Sequence, residues 1–300
     1  MCYDIKASLE AQKSRAERSG NLDAAGEIET LLRQHTKLPR GHINGFEHPI
    51  LGLYTSDQPD NMSLGRWGLI PYWFRGKAQE LKFNTLNARS ESMFEKAAFA
   101  QAAEQHRGIL LIDGFYEHQH RSTGIYPHFI YRKDQRPMAL ACICAPIDFE
   151  SHPLDPTQDP RINRGIEVAP VDKLTAAPIQ SSNYHFSFSI VTIAANALMS
   201  DIHNNPKIKQ ARMPLILTPE MEDQWLCPEP HQSGVFISEG TQGAALVGLS
   251  DNFVSRSQQI SLEAHTVAPL RKKSSTEKDA SAPYQYPELE QGWDLFSGFN

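Results

Sequence analysis

Apolar residues along this chain alternate with polar ones more often than they recur at helical spacing. Met138–Pro146 is almost wholly apolar and predicts a buried strand. Phe186–Ala194 alternates and is rich in β-branched residues, which predicts another. Gly108–Ile112 and Phe129–Tyr131 predict two more, joined by a polar turn containing Gly124 and Pro127. Short strands are expected at Cys2–Ile5, Leu215–Leu217, Ala245–Val247 and Ala264–Val267. The stretch RWGLIPYW, Arg66 to Trp73, reads as a strand that Pro71 breaks into a turn.

Helices are few. Leu22, Ala25, Ile28 and Leu31 recur at helical spacing and predict a helix over Leu22–Gln34. Ser92 and Glu95 have the capping-box pattern for a helix over Met93–Gln105. Thr218 caps a helix with Pro219 at its first position, ending near Trp225. Residues 151–165, SHPLDPTQDPRINRG, have no periodicity and read as a surface excursion. Many strands, few long helices and no strand–helix alternation predict an α+β fold. The expectation is a single compact domain with a mainly antiparallel, barrel-like β core and a few peripheral helices. That domain is expected over residues 1–270, with a polar linker and C-terminal tail over 271–300. No GxGxxG follows a strand, and there is no P-loop or GxSxG, so a dinucleotide fold is not indicated.

Composition narrows the functional classes. The chain has 300 residues, 40% hydrophobic and 21% charged, which is ordinary globular material. No apolar run reaches the roughly 18 residues of a membrane span. The start MCYDIKASLE has charges where a signal peptide needs apolar residues, so a cytoplasmic location is expected. The 4 cysteines, at 2, 142, 144 and 227, have no metal-ligand spacing, and Cys142 and Cys144 read as small buried hydrophobes in one strand. No metal or organic cofactor is implied. The net charge of −6 argues against a tight nonspecific duplex binder, although a local groove can still be positive.

The candidate chemistry starts at Cys2. With Met1 removed, Cys2 carries an α-amine and a thiol on adjacent carbons, with ordinary pKa values of about 7.7–8.0 and about 8.5. Such a 1,2-aminothiol condenses with an aldehyde to a Schiff base and then closes a thiazolidine ring; the bland alternative is an incidental cysteine. Glu117, in DGFYEH, follows two aromatics and suits acid or base work, or else is a salt-bridged glutamate. Asn87 and Arg89, in TLNARSE, could set an amide and a phosphate-binding guanidinium in a cleft, or lie in a surface turn. His203, in SDIHNN, is matched to proton transfer near neutrality but is one of 12 histidines. Trp67, Pro71 and Trp73 could wedge into or stack on bases, or pack in the core.

Each signal is modest, but their order is specific. MC, then WGLIPYW, NARSE, IDGFYEH and TIAAN…IH…RMPLIL resembles the SOS response-associated peptidase family, also called abasic-site processing proteins, from Cys2 to about Ile216. The resemblance implies that Cys2 bonds covalently to the aldehyde of an abasic site in single-stranded DNA, giving a stable thiazolidine. It implies that Asn87 positions the terminus or the sugar and that Glu117 and His203 move protons. Trp67, Pro71 and Trp73 would shape an aromatic wedge, and Arg89 and Arg212 would hold phosphates. The family name also implies peptidase activity toward residues preceding the cysteine. The chain departs from the pattern at Tyr3 and Asp4, where MCGR is common, at His118, where Trp is common, and in the insertion 204–211. Two other classes stay open: an N-terminal-nucleophile amidohydrolase acting on a small amide, and a noncatalytic single-stranded-DNA-binding module.

Overall fold

The computed structural model describes residues 2–7, 13, 15, 17, 26, 41–74, 84–147, 185–229, 233–238, 246–270 and 279–290. In chain order the first strands are β1 (Asp4–Ala7), β2 (Gly41–Asn44), β3 (Ile50–Thr55), β4 (Gln58–Trp67) and β5 (Asn87–Arg89). Helix α1 (Ala100–Gln105) leads into β6 (Arg107–Ile112), β7 (Gly114–Arg121), β8 (Gly124–Arg132) and β9 (Met138–Ile147). Then follow β10 (His185–Ala194), α2 (Ala197–Ile202), β11 (Arg212–Pro214), β12 (Ile216–Leu217) and α3 (Pro219–Leu226). The last elements are β13 (Phe236–Ser238), β14 (Leu246–Leu249), α4 (Asp251–Gln258), β15 (Leu262–Thr266) and α5 (Pro287–Glu290). The expected helix over Leu22–Gln34 (Gly26 apart) and the excursion at 151–165 lie outside the described residues.

Two sheets carry the fold. The smaller runs β15-β8-β7-β1-β2, antiparallel throughout. The larger runs β11-β10-β4-β3-β6-β9-β12, and β9 also pairs β10. Following those pairings from β10 through β4, β3, β6 and β9 returns to β10, so the sheet closes on itself and part of it is barrel-like. The only parallel pairings among the described strands join β10 to β4 and to β5. Ile5, Phe115 and Ile130 of the smaller sheet share one buried cluster with Leu53, Ile109 and Phe188 of the larger, so the core lies between the sheets. Each such side chain contributes about 1.5–3 kcal/mol when fully buried. Cys142 and Cys144 lie in that core as free thiols. The α+β, mainly antiparallel expectation holds. Among the described residues no helix is long and apolar enough to cross a membrane.

Three local expectations are corrected. The helix after Ser92 starts only at Ala100, and residues 90–99 form turns. The capping pattern loses to tertiary anchors: Met93 and Phe99 are both buried, and Glu91 is bound to Arg212. The polar stretch after Ile112 is not a turn but the hairpin β7–β8, tight at Ser122–Thr123, with Pro127 inside β8 opposite His118. The first strand starts at Asp4 rather than Cys2. By contrast α3 matches its reading, with the Thr218 side chain accepting from Met221 N–H and Pro in the first turn.

Candidate functional site

β1 is the third of three neighbours β8-β7-β1, and its register sets Asp4 opposite Tyr116. The residues before Asp4 therefore run toward the level of Glu117. Cys2 is buried, 2% exposed. Burial pushes its thiol well above the ordinary cysteine value, and the nearby carboxylates of Glu117 and Asp4 push the same way. The positive amino terminus pulls the other way, and burial outweighs it.

Asn87 reaches Cys2 from the other sheet. β5 lies beside β10 with Asn87 opposite Ile190, fixed by Ile190 N–H to Leu86 O at 3.0 Å and Ser90 N–H to Thr192 O at 3.0 Å. From that position Asn87 Nδ2 donates to the Cys2 carbonyl at 2.9 Å. Its Oδ1 is buried and meets no protein donor among the described residues. A buried acceptor that no donor fills costs about 1–3 kcal/mol, so this oxygen is set to receive a donor.

Glu117 and His203 complete the group. Glu117 is on β7, where Phe115, Glu117 and Gln119 share a face. His203 follows α2, which is capped by the Asn196 side chain accepting from Met199 N–H at 3.0 Å. His203 Nε2 lies 3.7 Å from Glu117 Oε2. On its other side, Nδ1 meets the Arg212 amide N–H at 2.9 Å. The Arg212 carbonyl oxygen lies 3.1 Å from the same nitrogen, so the Arg212 backbone holds Nδ1 in place while Nε2 faces Glu117. Burial lowers the His203 pKa, opposed by Glu117, so the ring is neutral near pH 7 and able to take a proton.

Cys2, Asn87, Glu117 and His203 therefore converge from the segment before β1, from β5, from β7 and from the end of α2. A family model described as SOS response associated peptidase (SRAP) matches residues 3–239. The chain belongs to the SRAP family.

Relatives of this SRAP chain agree with that placement. The abasic site processing protein HMCES of Gallus gallus is 29% identical over 168 residues, covering 54% of this chain and 44% of that protein. The abasic site processing protein YoqW of Bacillus subtilis is 28% identical over 182 residues, covering 60% of this chain and 63% of that protein. The aligned part of the SRAP chain thus spans less than two thirds of each relative's own length. A crystal structure of a Bacteroides thetaiotaomicron protein matches with a TM-score of 0.63 at 24% identity, over 95% of this chain and 100% of the other, a likeness of fold.

The remaining expected residues of the SRAP chain are placed differently. Trp67 is fully buried, stacked on Phe188 at 6.3 Å, with its Nε1–H on the Leu86 carbonyl at 2.9 Å. It offers no face to DNA and instead anchors the residue before Asn87, which corrects the wedge reading for this side chain. Gly68, at φ +112°, then turns the chain out of β4, a conformation L side chains rarely adopt. Pro71 beyond it is buried, whereas Tyr72 and Trp73 are exposed, with Trp73 Nε1–H on the Ala97 carbonyl at 3.0 Å. Arg89 is exposed.

Arg212 is buried. Its two terminal nitrogens grip Glu91 at 3.1 and 2.8 Å, and it also donates to the Thr192 carbonyl at 2.6 Å. Burial would raise the Glu91 pKa, but the Arg212 hydrogen bonds outweigh it and hold Glu91 below the usual range. This guanidinium is already engaged by Glu91 and Thr192, and it is the Arg212 backbone that meets His203. Asp4, at a position where a basic residue is common, meets His42 Nε2 at 2.7 Å.

The sequence reading missed the residues that hold α2 against β7. Gln119 Nε2 donates to Asp201 Oδ2 at 2.8 Å. Asn204 and the His120 backbone exchange two bonds, at 2.7 and 3.0 Å. Their signal was present in SDIHNN, whose polar residues flank His203 on both sides.

Proposed function

We propose that this protein captures abasic sites in single-stranded DNA through Cys2, once Met1 is removed, as a thiazolidine cross-link. The observation that carries the reading is the contact of Asn87 with the Cys2 carbonyl beside the facing pair Glu117 and His203. The opened sugar supplies an aldehyde. The Cys2 amine adds to it and the carbinolamine loses water, leaving an imine. The thiol sulfur then bonds to the imine carbon while its proton passes to the nitrogen, closing the ring with one water released overall.

The protonated state of Cys2 makes a base necessary at ring closure, because a desolvated thiol does not supply thiolate unaided. Neutral His203 and the Glu117 carboxylate stand where such a proton can be taken and returned. The orphan Asn87 Oδ1 is an acceptor for the terminal amine. The names of the chicken and bacterial relatives support the lesion as substrate. Processing of residues preceding Cys2 would use the same nucleophile, and we place the protein in the cytoplasm.

The test uses protein confirmed by mass to begin at Cys2, a single-stranded oligonucleotide with one abasic site, and a denaturing gel beside Cys2→Ala. A heat-stable shifted band absent from the variant is expected. No band from a reactive lesion would reject covalent capture and turn attention to amide hydrolysis.

A further inference from the structure

Immediately after Cys2 the chain presents an aromatic pair for which the capture chemistry has no use. Tyr3 and Phe46 meet with ring centroids 4.7 Å apart and planes tilted by 33°. Phe46 is 56% exposed. More than half of this ring is open to solvent and free to meet a ligand.

The ring is exposed on a rigid mount. Gly45–Glu47 is a single 3-10 turn, capped by the Asn44 side chain accepting from Phe46 N–H at 2.8 Å. Gly45 N–H donates to the Tyr3 carbonyl at 2.7 Å, tying the turn to the residue that follows Cys2. A Cβ on Gly45 would stand 3.0 Å from the Trp67 ring, so the turn lies flat against that buried indole. Trp67, anchored in turn to Leu86, thereby fixes Phe46 and Asn87 from one base.

Polar groups border the pair. Asn84 Nδ2 donates to the Tyr3 hydroxyl at 3.2 Å. Arg89, Glu117 and Cys2 all lie close enough to bias the ionisation of Tyr3, so its ring belongs to the surroundings of the reactive residue. Tyr3 thus joins the exposed Phe46 ring to the residue that follows Cys2 and feels the charge of the exposed Arg89.

We propose that Tyr3 and Phe46 form the stacking platform for the nucleobase next to the abasic sugar, with Arg89 meeting the phosphate between the two. This rests on the reading of Cys2 as the covalent residue. The lesion itself has no base, so the nearest π-face a protein can grip is that of the adjoining nucleotide. Stacking of this kind tolerates any base, and its removal costs on the order of ten-fold in affinity.

The experiment separates stacking from covalent capture by using a tetrahydrofuran lesion analogue, which has no aldehyde. Three fluorescent single strands carry the analogue: one with both neighbouring bases, one lacking the 5′ neighbouring base, one lacking the 3′ base. Affinity is measured by anisotropy for the protein beginning at Cys2 and for Phe46→Ala and Phe46→Trp, all with thermal midpoints checked. The wild type is expected to lose about ten-fold on one of the two base-deleted strands. Phe46→Ala is expected to bind the intact strand about ten-fold more weakly and to ignore that deletion, while Phe46→Trp keeps the wild-type pattern. Equal weakening of Phe46→Ala on all three strands, wild-type affinity in Phe46→Ala, or no binding of any strand by the wild type would overturn the platform. Failure of capture is read separately, on the gel with the aldehyde lesion.

Discussion

His203 and Glu117 face each other at 3.7 Å although one follows a helix and the other lies in the middle of a strand. That distance is set by the clamp of Gln119 on Asp201 and Asn204 on the His120 backbone. A shift of about 1 Å in a catalytic group can cost a hundred-fold in rate. Asn204→Ala is therefore expected to slow adduct formation at saturating DNA by about ten-fold, with DNA affinity unchanged. Single-turnover rates against DNA concentration decide it; an unaltered limiting rate would show that the Asn204 contact does not position His203.

Asn87 tests the other half of the site. Asn87→Ala removes the donor to the Cys2 carbonyl and the orphan acceptor together. We expect a fall in cross-linking rate of about ten- to a hundred-fold, and a stability change of about 1 kcal/mol in either direction because the lost bond and the relieved acceptor offset each other. Gel time courses and chemical denaturation measure the two. A large stability loss with a normal rate would make Asn87 structural.

The two arginines differ in a way that salt reveals. Arg89 is exposed and Arg212 is buried on Glu91. Arg89→Gln should lower the slope of log affinity against log salt by about 0.7 on single-stranded DNA. Arg212→Ala should leave that slope alone and lower stability by about 1–3 kcal/mol, since it removes the buried bonds to Thr192 and leaves their acceptors unpaired. A slope change from Arg212 would restore it as a phosphate contact.

Burial holds His48, His128 and His203 below the ordinary histidine pKa. The unfolded chain takes up protons as pH falls through about 6.5, while the folded chain does not. Stability therefore declines as pH drops below about 6.5 and stops declining once the folded pKa values are passed. Thermal midpoints between pH 7.5 and 5.5 should fall, and less steeply in His128→Gln. Glu91, Asp134 and Asp279 are shifted down instead, so their contribution is lost in a separate window, below about pH 4.

How much was legible in the sequence depended on whether one element or two decided the outcome. Met138–Ile147 and His185–Ala194 declared themselves because both faces are buried in the core. β4 did not, because its first half is largely exposed and polar, as in Asp60 and Asn61, and only its last residues enter the core. The polar run of β7 hid a strand for a related reason: Glu117 and Gln119 point inward, toward the site and the clamp. Cys2, Asn87, Glu117 and His203 were named from their motifs, but the fate of Trp67 and Arg212 turned on partners far along the chain, Phe188 and Glu91. No local pattern carries that information.

β10 has a consequence for the life history of the molecule. It borders β4, β5, β9 and β11, and β5 has no other partner strand among the described residues. Asn87, 85 residues after the cysteine it holds, is therefore fixed only when a strand from much later in the chain docks. Pairings so distant form slowly. On the ribosome Cys2 emerges first, and for most of synthesis it is a plain cysteine with no amide, carboxylate or imidazole arranged around it. On the function proposed above, assisted reactivity toward aldehydes would arrive only with the finished fold, and half-made chains would carry an unassisted aminothiol.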